Sequence, residues 1–290
     1  MVQMRALQES QIKNLLPKRI ADSNKGTYGR LLDIAGQKEC AGCAILSAFS
    51  ALRTGVGMVR VLSHKNNFIP LMNTVPEVLF SSDRNSESVC DSMDWATAVL
   101  IGPGIGRGRR AEEMLDTVLM SENMPLVIDA DGINLISNSG YLREELRDKA
   151  QNDPVILTPH LMEMSRFTGR SIAEIKQDMQ GIAAKYAADY QVVIALKDAR
   201  TVTVAPDGRA VLNTTGNNGM STAGSGDVLA GIVASFLAQG LDAFDAAALG
   251  VYIHGAAGDA AAEKYGVRGM KAMDIAEALP EVLLKADSMR

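Results

Sequence analysis

The chain has 290 residues, of which 47% are hydrophobic and 22% charged, with a net charge of −5. This is ordinary globular composition and excludes a disordered, collagenous or disulfide-scaffold chain. The acidic balance and the 4% aromatic content argue against nucleic acid as a partner, because they supply neither a positive field nor rings for base stacking.

Residues 1–23 form a short extension. Its start, MVQMRALQES, lacks the apolar run of a secretory signal. Strand-like and helix-like segments then alternate. Leu31–Ala35 is a short strand, and Gly42–Arg53 is a small-residue helix with Ile45, Leu46, Phe49 and Leu52 on one face. Cys40 and Cys43, at C-x-x-C spacing, flank the start of that helix without the second pair or nearby histidine of a zinc site. With Cys90 they make three cysteines, too few for a disulfide framework, which fits a reduced cytoplasmic protein.

Further strands are expected at Val56–Leu62, Ala98–Ile101, Leu126–Asp129, Val155–Leu157 and Val192–Leu196. Such short apolar runs read as strands buried on both faces. Helical patterns lie between them at Arg109–Met120, Tyr141–Lys149, His160–Phe167 and Ser171–Asp189. Thr201–Ala205 and Ala210–Asn213 flank Pro206-Asp207-Gly208, a hairpin signal. Helices are expected at Gly224–Gln239, Ala243–Lys264 and Met273–Lys285. The apolar stretch Val228–Leu241 is broken by Ser235 and Gln239, too short and too polar to cross a bilayer. The alternation predicts one three-layer α/β/α domain over 24–290, with a mostly parallel central sheet, an antiparallel edge and a helical C-terminus.

Ligands of open parallel sheets bind at the carboxyl ends of the strands. Gly36, Gly102-Pro-Gly-Ile-Gly106, Asp129-Ala-Asp131, Thr158-Pro-His160 and Lys197-Asp-Ala-Arg-Thr201 all fall there, which points to one site. The sharpest segment is Asn217-Asn-Gly-Met-Ser-Thr-Ala-Gly-Ser-Gly-Asp227, which runs into an apolar helix. Its glycines let backbone N–H groups approach a ligand, and the helix start adds positive partial charge. Together they suit a phosphoryl group, with Asp227 placed to take a proton from a hydroxyl. No Gly-Lys-Ser/Thr follows, so this is not a Walker A loop. Asp129 and Asp131 are candidates for Mg²⁺ or a ligand hydroxyl, Asp131 alternatively for a helix cap. His160 either contacts ligand or caps the helix bearing Glu163, and His254 reads as a packed helix residue.

Taken together, KGTYGRLLDIAG, CAGCAILSAFSALRTGVGMVRV, IGPGIG, VIDADGINLI, ILTPHLMEMSRFTG and GNNGMSTAGSGDVLAGIVASFLAQG resemble the ADP-dependent NAD(P)H-hydrate dehydratases of the ribokinase-like superfamily. The resemblance runs from Asn24 to Leu284. It implies repair of a damaged nicotinamide cofactor: dehydration of the (S)-epimer of NADH or NADPH hydrate, with ADP as co-substrate and AMP and phosphate as products. It also implies that Asp227 is the base and that Gly224 and Gly226 hold the phosphoryl group. Ala44, Gly106 and His160 would contact the hydrate. Lys197, Asp198, Ala199, Arg200, Thr201 and Gly226 would contact the nucleotide, with Mg²⁺ bridging its phosphates. A homotetramer and a separate epimerase, for which 23 leading residues leave no room, are further expectations. Asp198 stands where the family usually has glycine. The same loop would also serve a ribokinase-like kinase for a vitamin precursor, which would leave a stable phosphorylated product.

Overall fold

The computed structural model describes residues 6–7, 9–82 and 85–288. In chain order they form α1 (Glu9–Leu15), β1 (Arg30–Ile34), α2 (Ala41–Thr54), β2 (Met58–Leu62), α3 (Phe68–Thr74), β3 (Leu79–Ser81), α4 (Ser86–Trp95), β4 (Ala98–Ile101), α5 (Arg109–Leu119), β5 (Leu126–Ile128), α6 (Asp131–Asn138) and α7 (Gly140–Asn152). Then follow β6 (Val155–Leu157), α8 (Leu161–Thr168), α9 (Ile172–Gln177), α10 (Met179–Tyr190), β7 (Val193–Leu196), β8 (Val202–Val204), β9 (Ala210–Leu212), α11 (Ser225–Ala238), α12 (Ala243–Gly269) and α13 (Ala272–Ser288).

The sheet order is β3-β2-β1-β4-β5-β6-β7-β8-β9. The first seven strands pair in parallel, and β8 and β9 return antiparallel around the expected hairpin. Side chains alternate strictly between two cores, as the period of a strand requires. Leu31, Leu100, Val127 and Ile156 face the layer of α2, α11, α12 and α13. Leu32, Ile101, Ile128 and Leu157 face α4, α5, α7 and α10. Glycine and alanine let α11 lie close on α2: a Cβ at Gly231 would sit 2.2 Å from the Ser47 carbonyl oxygen.

The architecture is the predicted three-layer one, with local differences. Strand β3 and helices α1, α3, α4 and α6 were not among the expected segments. β3 is a three-residue edge strand, too short to show a period. Ser171–Asp189 is two helices, because Asp178 leaves helical geometry (φ −145, ψ 64) to cap α10 through Gly181 N–H. α12 runs five residues beyond its expected end, to Gly269, across a non-helical Gly266. No helix among the described residues is long and apolar enough to cross a membrane.

Candidate active site

The loops at the carboxyl ends of β1, β4, β5, β6 and β7 are stitched together by their backbones. Gly36 N–H donates to the Pro103 carbonyl at 2.8 Å, and Gln37 N–H to that of Gly104 at 2.7 Å. Gly102 adopts φ +133, and a Cβ there would lie 1.8 Å from the Asp129 carbonyl oxygen, so the crossing of these loops needs glycine. Next to it Ala130 holds a positive φ of 47, a conformation costly for a residue with a Cβ. That turn sends its two carboxylates apart. Asp129 is buried, and its Oδ1 accepts from Lys197 Nζ at 2.7 Å and from Thr158 Oγ1 at 2.8 Å. Asp131 accepts from Gly106 N–H and from Arg107 Nε, each at 3.0 Å. The two carboxylates thus have separate partners and share none. Nor does Asp131 cap α6, whose preceding residue Ala130 makes no side-chain cap. Among the described residues no three His, Cys, Asp or Glu side chains gather as metal ligands.

Helix α11 starts over this cluster. Gly224 precedes it in the left-handed region (φ +89), and a Cβ there would lie 2.4 Å from Leu46 Cδ1. Gly226 is different: a Cβ would meet only Lys197 Nζ at 3.5 Å, ordinary contact. The first N–H groups of a helix have no partner within it, so the turn presents donors with the Lys197 ammonium beside them. Burial works against that charge, but the carboxylates of Asp129 and Glu163 outweigh it and leave the Lys197 pKa raised. Asp227 lies in the same turn, half-buried. Burial and the neighbouring Asp129 push its pKa up to about 6, against a hydrogen bond from the Cys43 thiol and the charge of Lys197.

On one side of this turn a cavity of about 520 Å³ opens, walled by Lys197, Asp198, Ala199, Thr201, Gly226 and the 213–222 segment. His254 also faces it. Buried, it has its pKa lowered to about 4, which keeps it neutral, and its Nε2 lies 3.3 Å from Ser225 Oγ. The expected packed helix residue is thus also part of the wall. His160 makes the cap that was one of its two readings, and it also stands at the cavity. Its Nδ1 accepts from Met162 and Glu163 N–H, capping α8, and its ring borders the cavity. Burial lowers its pKa. Its neutral ring therefore carries the proton on Nε2, facing Glu163 Oε1 at 3.2 Å. Asp198 lines the cavity with its carboxylate 3.7 Å from Lys176 Nζ, whereas Arg200 is exposed and not part of the wall.

On the other side of Asp227 stand Cys43 and the Gly102–Gly106 loop. Ala44, next to Cys43, is wholly buried. Gly106 faces Gln37, whose Oε1 would be 2.5 Å from a Cβ there. Asp227 thus touches Cys43 of α2, one residue along from the Gly226 that lines the cavity.

The sequence profile described as NAD(P)H-hydrate dehydratase matches residues 31–281. The chain belongs to that family. It is 33% identical to the ADP-dependent (S)-NAD(P)H-hydrate dehydratase of Bacillus subtilis, over 94% of this chain and 96% of that one. It is 38% identical to the bifunctional NAD(P)H-hydrate repair enzyme of Moorella thermoacetica, over 96% of this chain and 54% of that one. The chain spans about half the length of such bifunctional relatives. In structure it is similar to the Bacillus subtilis ADP/ATP-dependent NAD(P)H-hydrate dehydratase co-crystallised with ATP and Mg²⁺, with a TM-score of 0.87, 29% identity, and 99% and 100% of the two chains covered.

Within this dehydratase-family site, three features escaped the sequence reading. Asn213, Thr215, Gly216 and Gly255 complete the cavity wall. Asp259 on α12 holds that wall, accepting from Gly216 N–H at 2.8 Å and Asn217 Nδ2 at 3.0 Å. An acidic residue in the alanine-rich run was its available signal. Asp33 on β1 is completely buried, accepts from Ser47 Oγ at 2.6 Å through Oδ2, and leaves Oδ1 without a partner. Burial, with Asp227 nearby, raises its pKa to about 8 despite the Ser47 hydrogen bond. A carboxyl inside an apolar strand was legible as an anomaly, but not as a neighbour of Asp227.

Proposed function

We propose that the protein restores NADH or NADPH from the (S)-epimer of its hydrate, consuming ADP and releasing AMP and phosphate. The observation that carries this is the first turn of α11, where a carboxylate with its pKa near 6 adjoins backbone donors and the Lys197 ammonium. Hydroxide is a poor leaving group and phosphate a good one. With the β-phosphoryl group of ADP at the α11 turn, Asp227 takes the proton of the C6 hydroxyl as its oxygen attacks phosphorus and AMP leaves. The ring nitrogen then expels phosphate from C6, and loss of a proton from C5 restores the dihydropyridine. In this assignment Gly224 and Gly226 shape the phosphoryl site. Lys197, Asp198, Ala199, Thr201 and Gly226 line the nucleotide side, with Arg200 at its exposed margin. Gly106 and His160 border the hydrate, and Ala44, wholly buried, only backs that side from α2. Asp129 and Asp131 are already engaged by Lys197, Thr158, Gly106 and Arg107. They offer no protein cage for Mg²⁺, which would enter on the nucleotide phosphates and offset their charge.

The reading includes ADP preferred to ATP, a cytoplasmic homotetramer, and a separate epimerising activity that supplies the (S)-epimer; the names of the bifunctional relatives support the last. The test is incubation of the purified chain with prepared hydrate, Mg²⁺ and ADP or ATP. Dihydronicotinamide absorbance should return in step with AMP and free phosphate. A phosphorylated product that accumulates without absorbance would establish the kinase reading instead.

A further inference from the structure

Cys40 immediately precedes α2 and Cys43 lies in its first turn, with their Sγ atoms 3.3 Å apart. Both are partly buried, Cys40 next to the exposed Gln37–Glu39 turn. The sulfurs press on the loop that carries Gly106: a Cβ at Gly104 would lie 2.7 Å from Cys43 Sγ and 2.9 Å from Cys40 Sγ. On its inner side the Cys43 thiol hydrogen-bonds the Asp227 carboxylate. A C-x-x-C pair at a helix start is a setting in which positive partial charge favours a thiolate.

We propose that Cys40 and Cys43 are a redox-active dithiol, which small-molecule disulfides oxidise to an intramolecular disulfide that disables the site. The Cys40 thiolate attacks R–S–S–R, giving Cys40–S–S–R and RS⁻. Cys43 then attacks the Cys40 sulfur as its proton passes to the adjacent Asp227, and the second RS⁻ leaves. Two protein thiols are oxidised and one R–S–S–R becomes two R–SH. The order follows from the Asp227 contact of Cys43: burial and that carboxylate hold its thiol protonated until then. Closing the sulfurs to about 2.05 Å shifts them beside the Gly104 loop and removes the thiol that Asp227 accepts from. Only the loss of activity rests on the dehydratase reading; the bond does not.

The experiment treats the full chain with oxidised glutathione, alkylates it, and maps its peptides while following turnover. A Cys40–Cys43 cross-linked peptide, two hydrogens lighter than the reduced pair, should appear as turnover falls at least tenfold, and dithiothreitol should reverse both. Cys40→Ser should keep its own untreated rate after the same treatment. Absence of the cross-linked peptide, or a cross-linked chain turning over at the reduced rate, overturns the proposal. A reduced chain with no turnover refutes the dehydratase reading instead, and the peptide map then judges the dithiol alone.

Discussion

In the proposed reaction Asp227 has to be an anion at neutral pH in surroundings that resist anions, and that conflict would make it a base. Its pKa near 6 leaves it ionised at pH 7 yet basic enough to take a hydroxyl proton. kcat/KM should therefore fall on the acid side with an apparent pKa near 6. Asp227→Asn should lower turnover by roughly 10²–10⁴. It should also raise Tm at pH 8. The folded pKa exceeds the ordinary 3.8, so ionisation costs folded stability as pH rises through that window, and the amide is spared the cost. A variant with more than a third of the parent rate would remove Asp227 from the mechanism. Asp33 obeys the same sign on a wider window. Its native carboxyl stays protonated up to about pH 8, while the unfolded chain releases that proton near its ordinary value. Stability should decline with pH between those limits. In Asp33→Asn that slope should flatten, the Tm difference from the parent growing from pH 5 to pH 8; a constant difference would mean that Asp33 is ionised in the native state.

At the start of α11, two glycines two positions apart do different work. Gly224→Ala combines a positive φ with a clash on Leu46 and should cost about 2–4 kcal/mol of stability. Gly226→Ala meets only the end of Lys197. It should leave Tm within about 1 °C while raising KM for ADP or lowering kcat, because the added methyl reaches the phosphoryl position. Unchanged kinetics in Gly226→Ala would place the phosphoryl group elsewhere. The sequence marked this turn clearly, since three glycines with hydroxyl residues among them are more than the cap of an apolar helix requires. It did not separate the glycine the fold requires from the one that leaves room for a ligand. That distinction depends on what lies opposite each Cα, Leu46 in one case and Lys197 in the other, and both neighbours are distant in the chain.

The layered sheet brings strand ends and helix starts to one edge, and this much was legible. The apolar runs gave the strands, and the polar residues after them gave the site. What was not legible is partnership: Asp129 with Lys197 rather than with Asp131, Asp259 behind Gly216, and Asp33 beneath Ser47. Each joins separate segments through side chains whose direction no local pattern carries. If the cavity beside α11 receives the nucleotide, ADP at about 100 times its Kd should raise Tm by on the order of 4 °C. Asp227→Asn should retain the shift, since the proposed reaction sets that carboxylate against the hydroxyl and not the adenosine. Loss of the shift in that variant would put Asp227 in nucleotide binding.

The stitched loops also set an order of events in time. Gly36 with Pro103, Thr158 with Asp129, Lys197 with Asp129 and Gly216 with Asp259 close contacts across most of the chain. The first three closures must await parallel pairing of strands that crossover helices keep far apart in sequence, and such non-local topologies assemble slowly. Helical signal should therefore return early in refolding and the capacity to turn over hydrate only in the slowest phase, measured by assaying aliquots against far-ultraviolet ellipticity. Recovery of both in a single early phase would mean that this edge of the sheet is organised before the rest of it.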